Sequence, residues 1–259
     1  MGVSVNLVEI FSSIQGEGTT VGASTLFVRF GECDLRCRWC DSPHTWKPAV
    51  ECQLELDRGT GVFRVQPNPL RIGDVVAAAD ALQVVEHEFV SLTGGEPLLQ
   101  PVAAREIAIA LRARGPRILL ETHGLASQGL ESVVDVVDLV SMDWKLPSDV
   151  RRATDARNAP VDPFDDEHER FLSIARRAPE VDVKLVVSCA SGDDEIDEAV
   201  DRVAKVAPEA TLIVQPVTPS GPVRDTPSAE RLLALCARIE RKLPKVRLIP
   251  QTHKSYGAR

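Results

Sequence analysis

The chain has 259 residues, with 30 Lys and Arg against 38 Asp and Glu, a net charge of -8 and a pI near 5.2. At 44% hydrophobic and 26% charged residues it is long enough to bury a full core, and its composition excludes fibrous, disulfide-dense and disordered classes. The acidic balance also argues against a nucleic-acid partner, which needs clustered Lys and Arg to displace counterions; the pair Arg36 and Arg38 is too small to reverse it.

The opening run MGVSVNLVEIF lacks the basic and long apolar regions of a secretion signal. No stretch approaches the roughly 18 consecutive apolar residues of a spanning helix. A cytoplasmic location with no membrane partner is expected.

Residues 3–22 end in Gly16-Glu17-Gly18 and predict an extra strand and loop closing one side of the fold. Strands are then predicted at residues 25–30, 88–93, 117–122, 137–144, 182–188, 211–215 and 246–251. Between them apolar residues recur at helical spacing, as in Ile72, Val75, Val76 and Ala79, or Ile196, Val200, Val203 and Val206. Residues 48–69 carry apolar runs around Gly59 and Gly61, a hairpin signal, and read as an insertion. Continuous apolar strands such as Val183 to Val187 fit a parallel sheet covered on both faces. The expected fold is α/β, an incomplete TIM-like (β/α)6-type barrel in one domain over residues 1–259, with an N-terminal extension and a hairpin insertion. Six to seven strands are too few for a complete eight-stranded barrel, and the incomplete barrel is favoured over a doubly wound sheet, a choice that periodicity does not decide.

Cysteines stand at positions 33, 37, 40, 52, 189 and 236. Cys189 and Cys236 read as small buried hydrophobes, and Cys52 is undecided. Cys33, Cys37 and Cys40 follow a strand end directly, where α/β proteins place their chemistry. Three thiolates at CxxxCxxC spacing can ligate an iron-sulfur cubane and leave one iron open, whereas ordinary ferredoxins supply four. The alternative is a zinc site completed by His44 or Cys52.

Further polar residues end the following strands. Thr93-Gly94-Gly95-Glu96-Pro97 lets backbone approach a ligand, and Glu96 can accept from an ammonium; taken alone, the string is an ordinary turn. Glu121, Thr122 and His123 end the next strand, and Ser141, Asp143 and Lys145 the one after. Lys184, inside an apolar run, needs a partner if buried.

The cysteine loop, with Trp39 before its third cysteine, resembles the signature of the radical S-adenosylmethionine (SAM) superfamily. That resemblance implies a [4Fe–4S] cluster on Cys33, Cys37 and Cys40, and SAM chelating the open iron. It also implies SAM contacts at Gly94, Gly95, Glu96, Glu121, Thr122, Ser141, Asp143, Lys145 and Lys184. The earlier run Glu9-Ile10-Phe11-Ser12-Ser13-Ile14-Gln15-Gly16-Glu17-Gly18, followed by Phe27 to Phe30, is similar to the 7-carboxy-7-deazaguanine synthases of deazapurine (queuosine) biosynthesis. Glycyl-radical activating enzymes share the cysteine loop but have no need of this run.

The narrower resemblance implies conversion of 6-carboxy-5,6,7,8-tetrahydropterin to 7-carboxy-7-deazaguanine with loss of ammonia. Ile14, Gln15, Gly16 and Glu17 would hold the pterin edge, Arg29 its carboxylate, and Thr93 would lie near the ring. Ser42 would ligate Mg2+. A flavodoxin or ferredoxin as reductant and a homodimeric assembly are further implications. The ETHG string places His123 where ETNG is expected, so this residue is expected to alter a cofactor contact; residues 256–259 are candidates for approaching substrate.

Overall fold

In the computed structural model, which describes residues 2–156 and 160–258, strands and helices alternate along the chain. The first half contains β1 (Ser4–Val5), β2 (Leu7–Ile14), β3 (Ser24–Phe30), β4 (Leu35–Cys37), β5 (Glu51–Glu55), β6 (Phe63–Pro67), β7 (Leu70–Arg71), α1 (Ile72–Ala81), β8 (Phe89–Gly94), α2 (Pro101–Arg112) and β9 (Arg117–Thr122). The second half contains α3 (Ser127–Glu131), β10 (Leu139–Asp143), β11 (Val150–Arg152), α4 (Asp165–Ala175), β12 (Glu180–Val187), α5 (Asp193–Val206), β13 (Thr211–Pro216), α6 (Ala229–Ile239), β14 (Val246–Leu248) and α7 (His253–Tyr256).

A ten-stranded sheet runs in the order β14-β13-β12-β10-β9-β8-β3-β2-β5-β6. From β14 to β3 every neighbouring pair is parallel. Their carboxyl ends therefore face one mouth. On the far side β2 runs antiparallel to β3, β5 parallel to β2, and β6 antiparallel to β5. Two small pairs stand apart, β1 with β7 and β4 with β11.

The parallel strands are apolar because both faces are covered. In β12, the six residues from Asp182 to Val187 are all buried. Helix α5 shows how the outer layer forms. Ile196, Ala199, Val200 and Val203 make its buried stripe, Asp193, Asp194 and Glu195 favour its positive amino end, and Gly192 N–H is capped by Glu195 at 2.7 Å. Helix α6 begins on Ser228, whose hydroxyl accepts from Arg231 N–H at 3.2 Å.

Three expectations need correction. Strand β14 ends at Leu248 rather than at residue 251, because the chain then leaves the sheet and Thr252 N–H bonds Gly16 O at 2.9 Å. Strand β10 starts at Leu139 rather than at residue 137, since Val134–Val136 forms a 3-10 turn. Cys189 is exposed in the turn before α5, not buried; Cys52 is fully buried in the main core, and Cys236 packs partly buried against it. Among the described residues no helix is long and apolar enough to cross a membrane.

Candidate active site

The mouth of the parallel sheet opens into a cavity of about 460 Å³, within the size range of small-molecule sites of about 300–1,000 Å3. Its wall includes Cys33, Cys37 and Cys40, Ser42, Gly94 and Gly95, Glu121 to His123, Ser141, Asp143, Lys145 and Lys184. Ile14, Gln15, Gly16, Glu17, Arg29 and Thr93 line the same space. Segments remote in sequence thus share one cavity. Glu96 is absent from this wall.

Sheet register explains much of this convergence. Arg29 on β3 pairs with Glu9 on β2 and Thr93 on β8. Ser141 on β10 pairs with Glu121 on β9 and Asp182 on β12, and Asp143 pairs with Lys184. Side chains at matched positions of neighbouring strands point to the same face. The loop after β2 crosses beneath them, where Gln15 Nε2 donates to Glu121 Oε1 at 3.1 Å and Thr19 Oγ1 donates to Asp182 Oδ2 at 2.6 Å.

The buried charges form one network. Lys184 Nζ donates to Glu17 Oε2 and lies 3.1 Å from Asp143 Oδ1, while Lys145 Nζ donates to Asp143 Oδ2 at 2.5 Å. Burial would raise the Asp143 carboxyl, but Lys145 and Lys184 outweigh it and hold it down to about 2. Burial opposes ionisation of Glu17 too, and Lys184 and Gln251 keep it below its usual range. Lys184 is held well above its ordinary value, because Asp143, Glu17 and Glu121 overcome its desolvation. Glu121 shifts the other way: burial raises it, and Lys184 only partly compensates.

The cysteine loop is pinned on several sides. Gly95 lies so close to it that a Cβ would meet Glu32 O at 1.9 Å, a backbone contact that leaves no room for any side chain. Strand β4 pairs with β11, placing Cys37 opposite Val150. Cys33, Cys37 and Trp39 pack against Leu35, Val150 and Phe164. Burial pushes the Cys33 thiol up to about 11 and Cys37 to about 12, with Lys145 opposing the rise in both. Such thiols ionise only against a strong positive charge, which cluster iron provides. Trp39 lines the cavity, and its indole N–H, itself buried, has no acceptor among the described residues. These features fit a cluster and a bound ligand. Cys52, in the main core, is absent from the cavity wall, so the zinc alternative loses that ligand; His44 does line the cavity.

Glu96 is fully buried behind the wall. Its carboxylate accepts from Leu98 N–H at 3.0 Å, Thr122 Oγ1 at 2.9 Å and His123 N–H at 2.8 Å. It therefore braces the ends of β8 and β9 against each other. Ser42 Oγ donates to Asp41 Oδ1 at 2.9 Å on the rim.

Sequence reasoning missed Asp41, Gln215, Thr218, Gln251, His253 and Lys254 as cavity residues. The His253 ring packs on Gly16, where a Cβ would lie 2.1 Å from Nδ1. Lys254 Nζ lies 3.0 Å from Asp41 Oδ2. Tyr256 is exposed and off the cavity wall, and Arg259 lies outside the described residues. A cluster of polar residues after the last strand was the available signal.

A family model described as the Radical SAM superfamily matches residues 28–207, which span the end of β3, the cysteine loop and the four parallel strands β8, β9, β10 and β12. The fold and the three-cysteine cavity are thus those of a radical SAM protein, and the superfamily implies a [4Fe–4S] cluster and SAM. The chain is 37% identical to the 7-carboxy-7-deazaguanine synthase of Geobacter sulfurreducens, over 97% of this chain and 96% of the relative. Identity to the synthase of that name from Methanopyrus kandleri is 34%, over 96% and 92%. This chain belongs to the 7-carboxy-7-deazaguanine synthase family. The crystal structure of QueE from Escherichia coli aligns at a TM-score of 0.61 with 19% identity, covering 96% of this chain and 94% of that one, a likeness of fold.

Proposed function

We propose that this chain converts 6-carboxy-5,6,7,8-tetrahydropterin to 7-carboxy-7-deazaguanine with loss of ammonia, in deazapurine (queuosine) biosynthesis. The observation that carries this reading is the meeting, in one cavity, of Cys33, Cys37 and Cys40 with the Gln15 to Glu17 segment and Arg29. Cys33, Cys37 and Cys40 would hold the cluster, which when bound and reduced would supply the one-electron chemistry that SAM cleavage requires.

The protein's own residues bind and orient. Gly94 and Gly95, packed against the backbone of Phe30 and Glu32, present the strand end to the methionine end of SAM, with Glu96 bracing them from behind. Glu121, Thr122, Ser141, Asp143, Lys145 and Lys184 surround its remaining polar groups. Ile14, Gln15, Gly16 and Glu17 hold the pterin edge, with Thr93 beside the ring. Arg29, whose Nε donates to Glu9 Oε1 at 2.7 Å, keeps its terminal nitrogens for the substrate carboxylate. Ser42 and Asp41 offer the oxygen donors that a hard cation prefers, and we assign Mg2+ there as a template for that carboxylate. Gln251, His253 and Lys254 line one side of the cavity.

We further read the fold as an incomplete (β/α)6-type barrel in a single domain over residues 1–259, with residues 3–22 as an extension and 48–69 as an insertion. A cytoplasmic homodimer served by a flavodoxin or ferredoxin completes the proposal. The test is anaerobic turnover of the carboxytetrahydropterin with SAM, reductant and Mg2+. Carboxydeazaguanine is expected; an intact cluster with no product would move the assignment to another substrate.

A further inference from the structure

His123 stands where the family resemblance called for asparagine, and it is 5% exposed. Its Nε2 lies 2.8 Å from Asp34 Oδ1, inside the loop between Cys33 and Cys37. Its Nδ1 accepts from Leu125 N–H at 3.1 Å, so the neutral ring carries its proton on Nε2 and donates to Asp34. Leu125 in turn packs in the small apolar cluster with Cys33, Cys37 and Trp39. The His123 backbone N–H donates to Glu96 Oε2 at 2.8 Å.

The loop needs such a support. Glu32, just before the first cysteine, sits at φ 73, a left-handed conformation that side chains disfavour. Its carbonyl accepts from Glu96 N–H at 2.8 Å, and the Asp34 carbonyl accepts from Ala153 N–H at 2.7 Å. Both are backbone bonds. An asparagine at position 123 reaches about as far as Nδ1 does, so the bond to the Asp34 side chain is one that the imidazole adds.

We propose that His123 is a positioning residue, which joins Asp34 of the cysteine loop to Glu96 behind Gly94 and Gly95 and thereby fixes the cluster relative to the SAM-binding strand end. The proposal rests on the reading of Cys33, Cys37 and Cys40 as cluster ligands. It assigns His123 no contact with the reacting atoms.

The test compares anaerobically reconstituted wild type, His123→Ala, Asp34→Ala, Asp34→Asn and the double alanine variant. Two quantities are read: the dissociation constant of SAM, and the EPR spectrum of the reduced cluster with and without SAM. Each single alanine variant is expected to keep its iron and sulfide but to bind SAM about tenfold more weakly, with a smaller SAM-induced spectral change. The double variant should be no weaker than either single one, because both break the same link. Asp34→Asn keeps an acceptor for Nε2–H and should restore binding. Asp34 is partly exposed, so its alanine variant opens no core cavity and answers the question if His123→Ala does not fold. Unchanged affinity and spectra in the alanine variants, or additive losses, would overturn the proposal even if thermal stability falls. A wild type that takes up no cluster would overturn the underlying reading, and this proposal with it.

Discussion

Gln251 Nε2 donates to Glu17 Oε1 at 2.6 Å, tying the end of the chain to the loop that follows β2. The neighbouring bond from Thr252 N–H to Gly16 O, at 2.9 Å, and the packing of His253 on Gly16 make the junction continuous. Gln251→Ala removes a neutral donor to a carboxylate, an interaction worth about 1.5–3 kcal/mol. Glu17 keeps Lys184, so the fold should survive. The expected result is an increase of about tenfold in the KM for the pterin, with SAM affinity nearly unchanged; an equal loss in SAM binding would show that the junction serves the whole cavity instead.

Arg29 lies over the Phe11 ring at 5.6 Å and bonds Glu9, contacts that orient its guanidinium without involving the cysteines. Arg29→Ala should therefore abolish product while the cluster absorbance and SAM cleavage persist. Arg29→Lys should recover little, because a single ammonium cannot grip a carboxylate in two-pronged fashion. Loss of the cluster in either variant would contradict the assigned role.

The alternation of strands and helices was legible because each parallel strand is an apolar run and each helix has a stripe, as in Ile196, Val200 and Val203. The cysteine loop was legible because its ligands are close in sequence. What periodicity did not reveal was set by long-range pairing. Nothing local marks the bonding of β4 to β11, or the seating of Glu17 against Lys184 from 167 positions away. Lys184 could be read only as a cation in need of a partner, and Glu96 as a carboxylate facing a ligand; the fold supplied the partner for the first and turned the second inward.

Lys184 also governs stability. It stands between Glu17 and Asp143 and is 6% exposed, so its removal leaves two carboxylates, each with a side chain only 17% exposed, with Lys145 as the cation on Asp143 and Gln251 as a neutral donor to Glu17. Breaking a buried pair in this way costs about 3–5 kcal/mol. Lys184→Met should lower the urea midpoint of the cluster-free protein accordingly. Adding Glu17→Gln should recover part of the loss, since one uncompensated charge is gone. A second loss simply added to the first would refute the coupling.

His168 gives the protein a distinct acid sensitivity. It is wholly buried against Trp144, at 4.9 Å between rings, with Nε2 accepting from Lys145 N–H at 2.9 Å and Nδ1 beside Gly124 O at 2.9 Å. Burial, aided by the nearby His123 and Lys145, depresses its value from 6.5 to about 3. A group depressed on folding contributes stability that is full above its unfolded value and is lost as pH falls towards the folded one. For His168 that window runs from 6.5 down to about 3, and one proton corresponds to at most about 1.4 kcal/mol per pH unit. His123 has the opposite sign: Glu96 and Asp34 outweigh its burial and raise it, so its contribution is present at low pH and fades as pH rises through the folded value. Comparison with His168→Gln separates the two, because glutamine accepts from Lys145 N–H and donates to Gly124 O without titrating. Between pH 7 and pH 5 the cluster-free wild type should lose urea stability more steeply than the variant; parallel curves would mean that His168 does not set the acid limit.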